Sequence, residues 1–207
     1  MKTLIIATGN KNKMKEIREI LGRDDLTILS MAEAGIEADI LENGTTFEEN
    51  AVIKARTVAA ACGHMAMADD SGLVVDALGG EPGIYSARYM GEDTSYEIKN
   101  AAIIDRVNRA PGGDTPEGRS ARFVCACACA WPDGRVITTQ GVMEGQIAQA
   151  PAGENGFGYD PIFYLPDAGC TSAELSPEEK NARSHRGQAL RAMAAALDEL
   201  RGGEEEA

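Results

Sequence analysis

Short apolar runs alternate with stretches of helical periodicity along this chain. Lys2 to Ala7 is an apolar strand, and Met14, Ile17 and Leu21 recur behind it at helical spacing, so Thr8, Gly9, Asn10, Lys11, Asn12 and Lys13 form a strand-to-helix loop. Leu26 to Leu29 predicts a second strand. Thr46 and Glu49 fit a capping box that opens the next helix. Along that helix Phe47, Ala51, Ala55, Val58 and Cys62 make an apolar stripe, while Asn50, Lys54 and Thr57 share another face. Ala66 to Ala68 end a buried strand and Leu73 to Val75 start another, which leaves Asp69-Asp70-Ser71-Gly72 at a strand terminus. Tyr96 to Ala110 predicts a helix, with Ile98, Ala102, Asp105 and Val107 as an imperfect stripe. Ala121 to Trp131 and Arg135 to Val142 are strand-like around Pro132-Asp133-Gly134, an antiparallel hairpin that makes the sheet mixed. Leu190, Met193, Leu197 and Leu200 mark a last helix, and residues 202–207 read as a disordered acidic tail. The fold class is therefore α/β, a mixed central sheet flanked by helices, in one domain over residues 1–201.

Composition narrows the partners. A chain of 207 residues buries a proper core without staples. Its net charge of -13 argues against non-specific binding to nucleic acid or an anionic membrane. A polyanionic substrate would then need local cations or a metal. The apolar start TLIIA is only a strand's length, and no apolar run approaches the ~20 residues of a membrane span, so a cytosolic protein is expected. Cys125, Cys127 and Cys129, three of the five cysteines, alternate onto one strand face. Thiols at that period are too far apart for an easy disulfide, and a reduced core is the simpler reading beside a zinc or redox site.

Three stretches carry candidate chemistry. Backbone N–H groups at the Thr8–Lys13 loop favour phosphate, with Lys11 or Lys13 adding charge; the loop lacks the Gly-Lys-Ser/Thr ending of a Walker A motif and also reads as an Asn-capped helix start. Asp69 and Asp70, adjacent on a pleated segment, face opposite ways, so one of them is structural. Asp-Ser-Gly is equally ordinary turn chemistry. In the glycine-dense segment 153–161, Phe157 suits stacking on a base, or plugs the turn from below.

At this point the residues carry a resemblance. ADDSGLVVDALGGEPGIYSARY, beginning at Ala68, resembles the signature of the inosine triphosphate pyrophosphatase family, enzymes that hydrolyse non-standard purine nucleoside triphosphates to monophosphate and pyrophosphate. TGNKNK, TFEENAVIKA, GFGYDPIF and the Ser184-His185-Arg186 block with Lys180 before it are similar to the family's other blocks, so the likeness runs from Leu4 to Leu190. It implies two lobes around a nucleotide cleft, with the Thr8–Lys13 loop on the triphosphate and Lys54 and Lys180 on its phosphates. Ser71, Gly158 and Tyr159 fall among the implied substrate contacts, Phe157 is the implied stacking residue and Asp160 a polar partner. His185 and Arg186 are implied at the base, where arginine's donor-only head suits a 6-oxo purine such as that of ITP, dITP or XTP. Glu42 and Asp70 are implied as ligands of Mg²⁺, an ion that takes one or two carboxylates and completes its shell with water and phosphate oxygens. Asp70 is also the implied general base, and the family's members are commonly homodimers. The related Maf-type pyrophosphatases, which prefer pyrimidine or modified nucleotides, fit the SHR and GFGYD blocks less well. A non-catalytic nucleotide sensor would not need Asp70 with a metal partner.

Overall fold

The computed structural model describes residues 2–22 and 25–205. Seven strands are hydrogen-bonded in the order β2-β1-β3-β4-β5-β6-β7: β1 Lys2–Ile6, β2 Leu26–Ser30, β3 Met65–Val75, β4 Ser120–Ala130, β5 Val136–Ile147, β6 Phe163–Leu165 and β7 Cys170–Thr171. β1 pairs parallel with β2 and β3, whereas β5 with β6 and β6 with β7 are antiparallel, so the sheet is mixed. Five α-helices stand among the described residues: α1 Lys11–Leu21, α2 Phe47–Cys62, α3 Tyr96–Arg109, α4 Pro177–Arg183 and α5 His185–Glu205. The chain forms two compact units, one of Met1–Asp70, Cys125–Gly141 and Arg186–Ala207, the other of Ser71–Val124 and Val142–His185.

In the first unit the two faces of the sheet are written into the alternation of β4. Cys125, Cys127 and Cys129 turn to one face, with Leu4, Ile6 and Met67 of the sheet, Met14, Ile17 and Leu21 of α1, and Leu190, Met193 and Leu197 of α5. Ala126, Ala128 and Ala130 turn to the other, against Ala51, Ala55, Val58 and Ala59 of α2. Small side chains on both partners let that helix lie close to the sheet. The cysteines are thus core residues with free thiols, fully buried, and burial pushes the Cys129 thiol up to about 12.

The second unit packs Leu73, Val75, Ile103, Val107, Phe123, Ile147, Ile162 and Phe163 into one core, in which the Phe123 and Phe163 rings lie 4.4 Å apart. Each such side chain, fully buried, contributes about 1.5–3 kcal/mol.

Several elements differ from the sequence pattern. β3 runs unbroken from Met65 to Val75, so Asp69-Asp70-Ser71-Gly72 is extended strand rather than a turn at its end. Membership of a strand that the sheet holds between β1 and β4 overrides the local turn preference of Asp-Ser-Gly. The buried face of α3 is Lys99, Asn100, Ile103, Ile104 and Val107, with Ile98 exposed, which explains why an apolar stripe through Ile98 is imperfect. Only half of the capping box at α2 forms: Thr46 Oγ1 accepts from the Glu49 N–H, but the Glu49 carboxylate accepts from the backbone and hydroxyl of Thr45. Gly141 to Gly145 belong to β5 itself. α5 continues to Glu205 through much of the stretch read as a disordered tail; Glu206 and Ala207 lie outside the described residues.

Candidate active site

The Thr8–Lys13 loop opens α1 with Asn10 as N-cap, its side chain accepting from the backbone N–H groups of Asn12 and Lys13 at 2.9 and 3.3 Å. Gly9, Asn10, Lys11 and Asn12 are exposed and the first turn holds no acidic residue, so the positive end of the helix faces outward uncompensated. The capped helix start and the loop expected to favour phosphate are one object. Lys13 turns inward, its Nζ 2.9 Å from Asp69.

Asp69 and Asp70 take opposite faces of β3, as the pleat requires. Asp69 meets Lys13 and, at 3.2 Å, Arg186 Nε, and Arg186 also pairs with Glu16 of α1. Burial works against the Asp69 charge, but Lys13, Arg186 and Lys54 outweigh it and hold the carboxyl well below the usual range. The same carboxylates, against desolvation, raise Arg186. Arg186 is therefore built into an internal ion-pair group, with Nε on Asp69 and Nη1 on Glu16, a role beside the implied base contact.

Asp70 faces α2. Lys54 Nζ lies 2.9 Å from Asp70 Oδ1 and 3.0 Å from Glu42, so one ammonium joins the two carboxylates singled out as metal ligands. Asn50 completes the frame: its Nδ2 donates to Asp70 at 3.4 Å and its Oδ1 accepts from the Gly44 N–H at 2.9 Å, tying the segment that carries Glu42 to the β3 carboxylate. Only glycine fits at 44, where a Cβ would come within 2.7 Å of Asn50 Oδ1 and of the Glu49 side chain. Thr57, on the same face, bonds back to the Ile53 carbonyl and stays out of the group. Desolvation raises the Asp70 pKa despite the pull of Lys54, and Lys54, also disfavoured by burial, is raised on balance by Asp70, Asp69 and Glu42. No three His, Cys, Asp or Glu side chains among the described residues converge as a ready metal site. Two hard carboxylate oxygen donors facing one cation nonetheless match the demands of Mg²⁺, whose remaining positions are met by water and substrate oxygens.

In the second unit the segment around Phe157 is held by Asp160, which is buried. Its carboxylate accepts from the Phe157 N–H at 2.7 Å, the Ser172 hydroxyl at 3.0 Å and Lys180 Nζ at 2.7 Å. The Lys180 ammonium also sits over the Phe157 ring, 4.9 Å from its centroid. Gly156 has φ +73°, and a side chain there would begin 2.2 Å from Asp160 Oδ2. Asp160 thus shapes the loop, while Phe157 and Gly158 are half-exposed. Tyr159 points inward, its hydroxyl donating to the Ser86 carbonyl at 2.8 Å, and its ring is part of the core. His185 stacks on Phe123 at 4.7 Å with the rings 14° from parallel. Ser71 is half-buried in β3.

The first unit thus gathers Lys13, Glu42, Lys54, Asp69, Asp70 and Arg186, and the second gathers Phe157, Asp160, Lys180 and His185 within their own frames. Glu16 and Ser172 carried no sequence signal beyond a polar residue on a helix or loop, whereas Asn50 stood with Lys54 on the polar face of TFEENAVIKA, the block similar to the family's, and only its bridge from Gly44 to Asp70 comes from the fold.

Comparison with known proteins agrees with the resemblance. The model of the Ham1 family matches residues 4–196. The dITP/XTP pyrophosphatase of Exiguobacterium sibiricum is 47% identical over 195 residues, 94% of this chain and 96% of that protein. The dITP/XTP pyrophosphatase of Bacillus subtilis is 48% identical over 198 residues, 96% of this chain and 98% of its own length. A solved Ham1 protein from Coxiella burnetii superposes with a TM-score of 0.86 at 40% identity, covering 96% of this chain and all of its own. With its sheet order, its paired carboxylates and these matches, the chain belongs to the Ham1 family.

Proposed function

We propose that the protein hydrolyses non-standard purine nucleoside triphosphates, dITP, ITP and XTP, to the monophosphate and pyrophosphate, removing them from the nucleotide pool. The observation that carries this reading is the convergence of Glu42 and Asp70 on Lys54 Nζ beside an uncompensated helix start, in a chain similar to dITP/XTP pyrophosphatases. Glu42 and Asp70 would hold Mg²⁺, which when bound neutralises phosphate charge and polarises the phosphorus under attack.

The residues divide the work. Asp70 orients a water and takes its proton as the water oxygen bonds to the α-phosphorus, and the bond from that phosphorus to the bridging oxygen breaks, with pyrophosphate leaving. Beside a bound cation the carboxylate stays ionised, so it is available to accept that proton. Lys13, Lys54 and Lys180 offset the charge of the leaving group, each oriented by an aspartate, Asp69, Asp70 and Asp160 in turn. Phe157 offers a face for the base, and donors at the start of α5, around His185 and Arg186, favour a 6-oxo group over adenine's 6-amino group. A homodimer and a cytosolic location complete the reading. No helix among the described residues is long and apolar enough to cross a membrane.

Hydrolysis of ITP in ¹⁸O-water tests the reaction type. The label enters the monophosphate if water attacks the α-phosphorus; label in pyrophosphate, or release of inorganic phosphate, contradicts the proposal.

A further inference from the structure

The second unit contains a group that the proposed chemistry leaves unused, at the first two turns of α3. Asn100 is 4% exposed, and its Nδ2 donates to the Gly158 carbonyl at 3.2 Å across 58 residues of sequence. Next to it, Lys99 donates to the Ala87 carbonyl at 2.7 Å. Tyr96, one turn earlier, meets the Tyr159 ring edge-on at 5.2 Å, and a Cβ added at Gly158 would meet its ring at 3.5 Å. Tyr159 and Ser86 close the circuit: Tyr159 donates to the Ser86 carbonyl, and the Ser86 hydroxyl accepts from the Leu73 N–H at 2.9 Å. Gly158 is the residue after Phe157, so its carbonyl fixes the segment that presents the aromatic ring.

The Asn100 amide is satisfied at one end only. Its Oδ1 is buried with no hydrogen-bond partner among the described residues. A buried acceptor left unpaired is a cost that an apolar residue of similar size would avoid, so the donor end has to be worth keeping. Asp160 holds the segment from one side, through the Phe157 N–H; Asn100 holds it from another, through the Gly158 carbonyl. The two bonds leave the peptide between Phe157 and Asp160 little freedom to turn.

We propose that Asn100 is a positioning residue for base recognition, holding the Gly158 carbonyl and so fixing where Phe157 stands, without touching the nucleotide itself. This rests on the stacking role given to Phe157 above. A contact that binds substrate and transition state alike affects KM and leaves kcat alone.

The test measures KM and kcat for ITP, and the inhibition constant of inorganic tripolyphosphate, which has phosphates but no base, on wild type, Asn100→Ala and Asn100→Asp. The aspartate keeps the size but, when ionised, donates nothing. In both variants KM for ITP rises about tenfold while kcat and the tripolyphosphate constant stay within about a factor of two. KM and the inhibition constant do not depend on the fraction of enzyme folded, so lower yield does not blur the result. An unchanged KM, or a KM and an inhibition constant rising together, would overturn the proposal. Failure of the activity reading is told apart by the wild-type arm, as the absence of any turnover of ITP, whereas failure of the Asn100 proposal leaves wild-type turnover intact.

Discussion

Replacing each of the two adjacent aspartates by asparagine should separate stability from activity. Asp69 is wholly buried and paired with Lys13 and Arg186, which hold its carboxyl well below the usual range. Asp69→Asn leaves those cations facing a neutral amide, and breaking such a buried group costs about 3–5 kcal/mol. For a chain of this size that lowers Tm by about 6–20 °C, at about 2–4 °C per kcal/mol. Asp70 has its pKa raised by desolvation, so at neutral pH its ionised form is a net cost to the fold. Lys54 keeps Glu42 as a partner when Asp70 is made neutral, so Asp70→Asn should cost clearly less stability than Asp69→Asn, while turnover falls about 10²–10⁴-fold with the loss of the base. The sign also fixes the pH dependence. A depressed folded-state pKa gives stability that is full above the unfolded value of about 3.9 and is lost as pH falls toward the folded one, so the advantage of wild type over Asp69→Asn shrinks below about pH 4. Urea unfolding from pH 7 to 3 with melting curves at pH 7 measures both. Asp69→Asn as stable as wild type, or Asp70→Asn destabilised as strongly as Asp69→Asn, would refute the division of roles.

Lys54→Met removes a charge that pulls the Asp70 pKa down, so the acidic limb of kcat/KM against pH should move to higher pH, with turnover reduced less than in Asp70→Asn; a limb that stays put would separate Lys54 from Asp70. Gly44→Ala puts a Cβ within 2.7 Å of Asn50 and Glu49 side-chain atoms, at a cost of about 1–3 kcal/mol, and should raise the Mg²⁺ concentration for half-maximal rate by displacing the Glu42 segment. Asp160→Asn weakens the hold on Lys180 and Phe157, and KM for ITP should rise more than kcat falls, as read from initial rates.

The elements were legible wherever periodicity and caps agree, as in α1, with Asn10 before a Met14, Ile17, Leu21 stripe, and in the β4–β5 hairpin around Pro132-Asp133-Gly134. The continuity of β3 through Asp69-Asp70-Ser71-Gly72 was not, because strand pairing is non-local while the turn preference is written in four adjacent residues. The same reason hides the partners of the charged residues. Lys13, Lys54 and Lys180 were visible as candidate phosphate ligands, but that each is oriented by an aspartate follows only from folding, as does the enclosure of Arg186 by Asp69 and Glu16. On α3 a buried Lys99 and Asn100 contradict the usual exposure of such residues, and only their carbonyl partners, 12 and 58 residues away in sequence, explain it.

The most direct test of the proposed activity is pyrophosphate release from dITP, XTP and ATP at equal concentration, with and without Mg²⁺, by wild type and Asp70→Asn. Metal-dependent release from dITP and XTP well above that from ATP, abolished in the variant, is the expected result. Equal rates on all three nucleotides, or a variant as active as wild type, would contradict it.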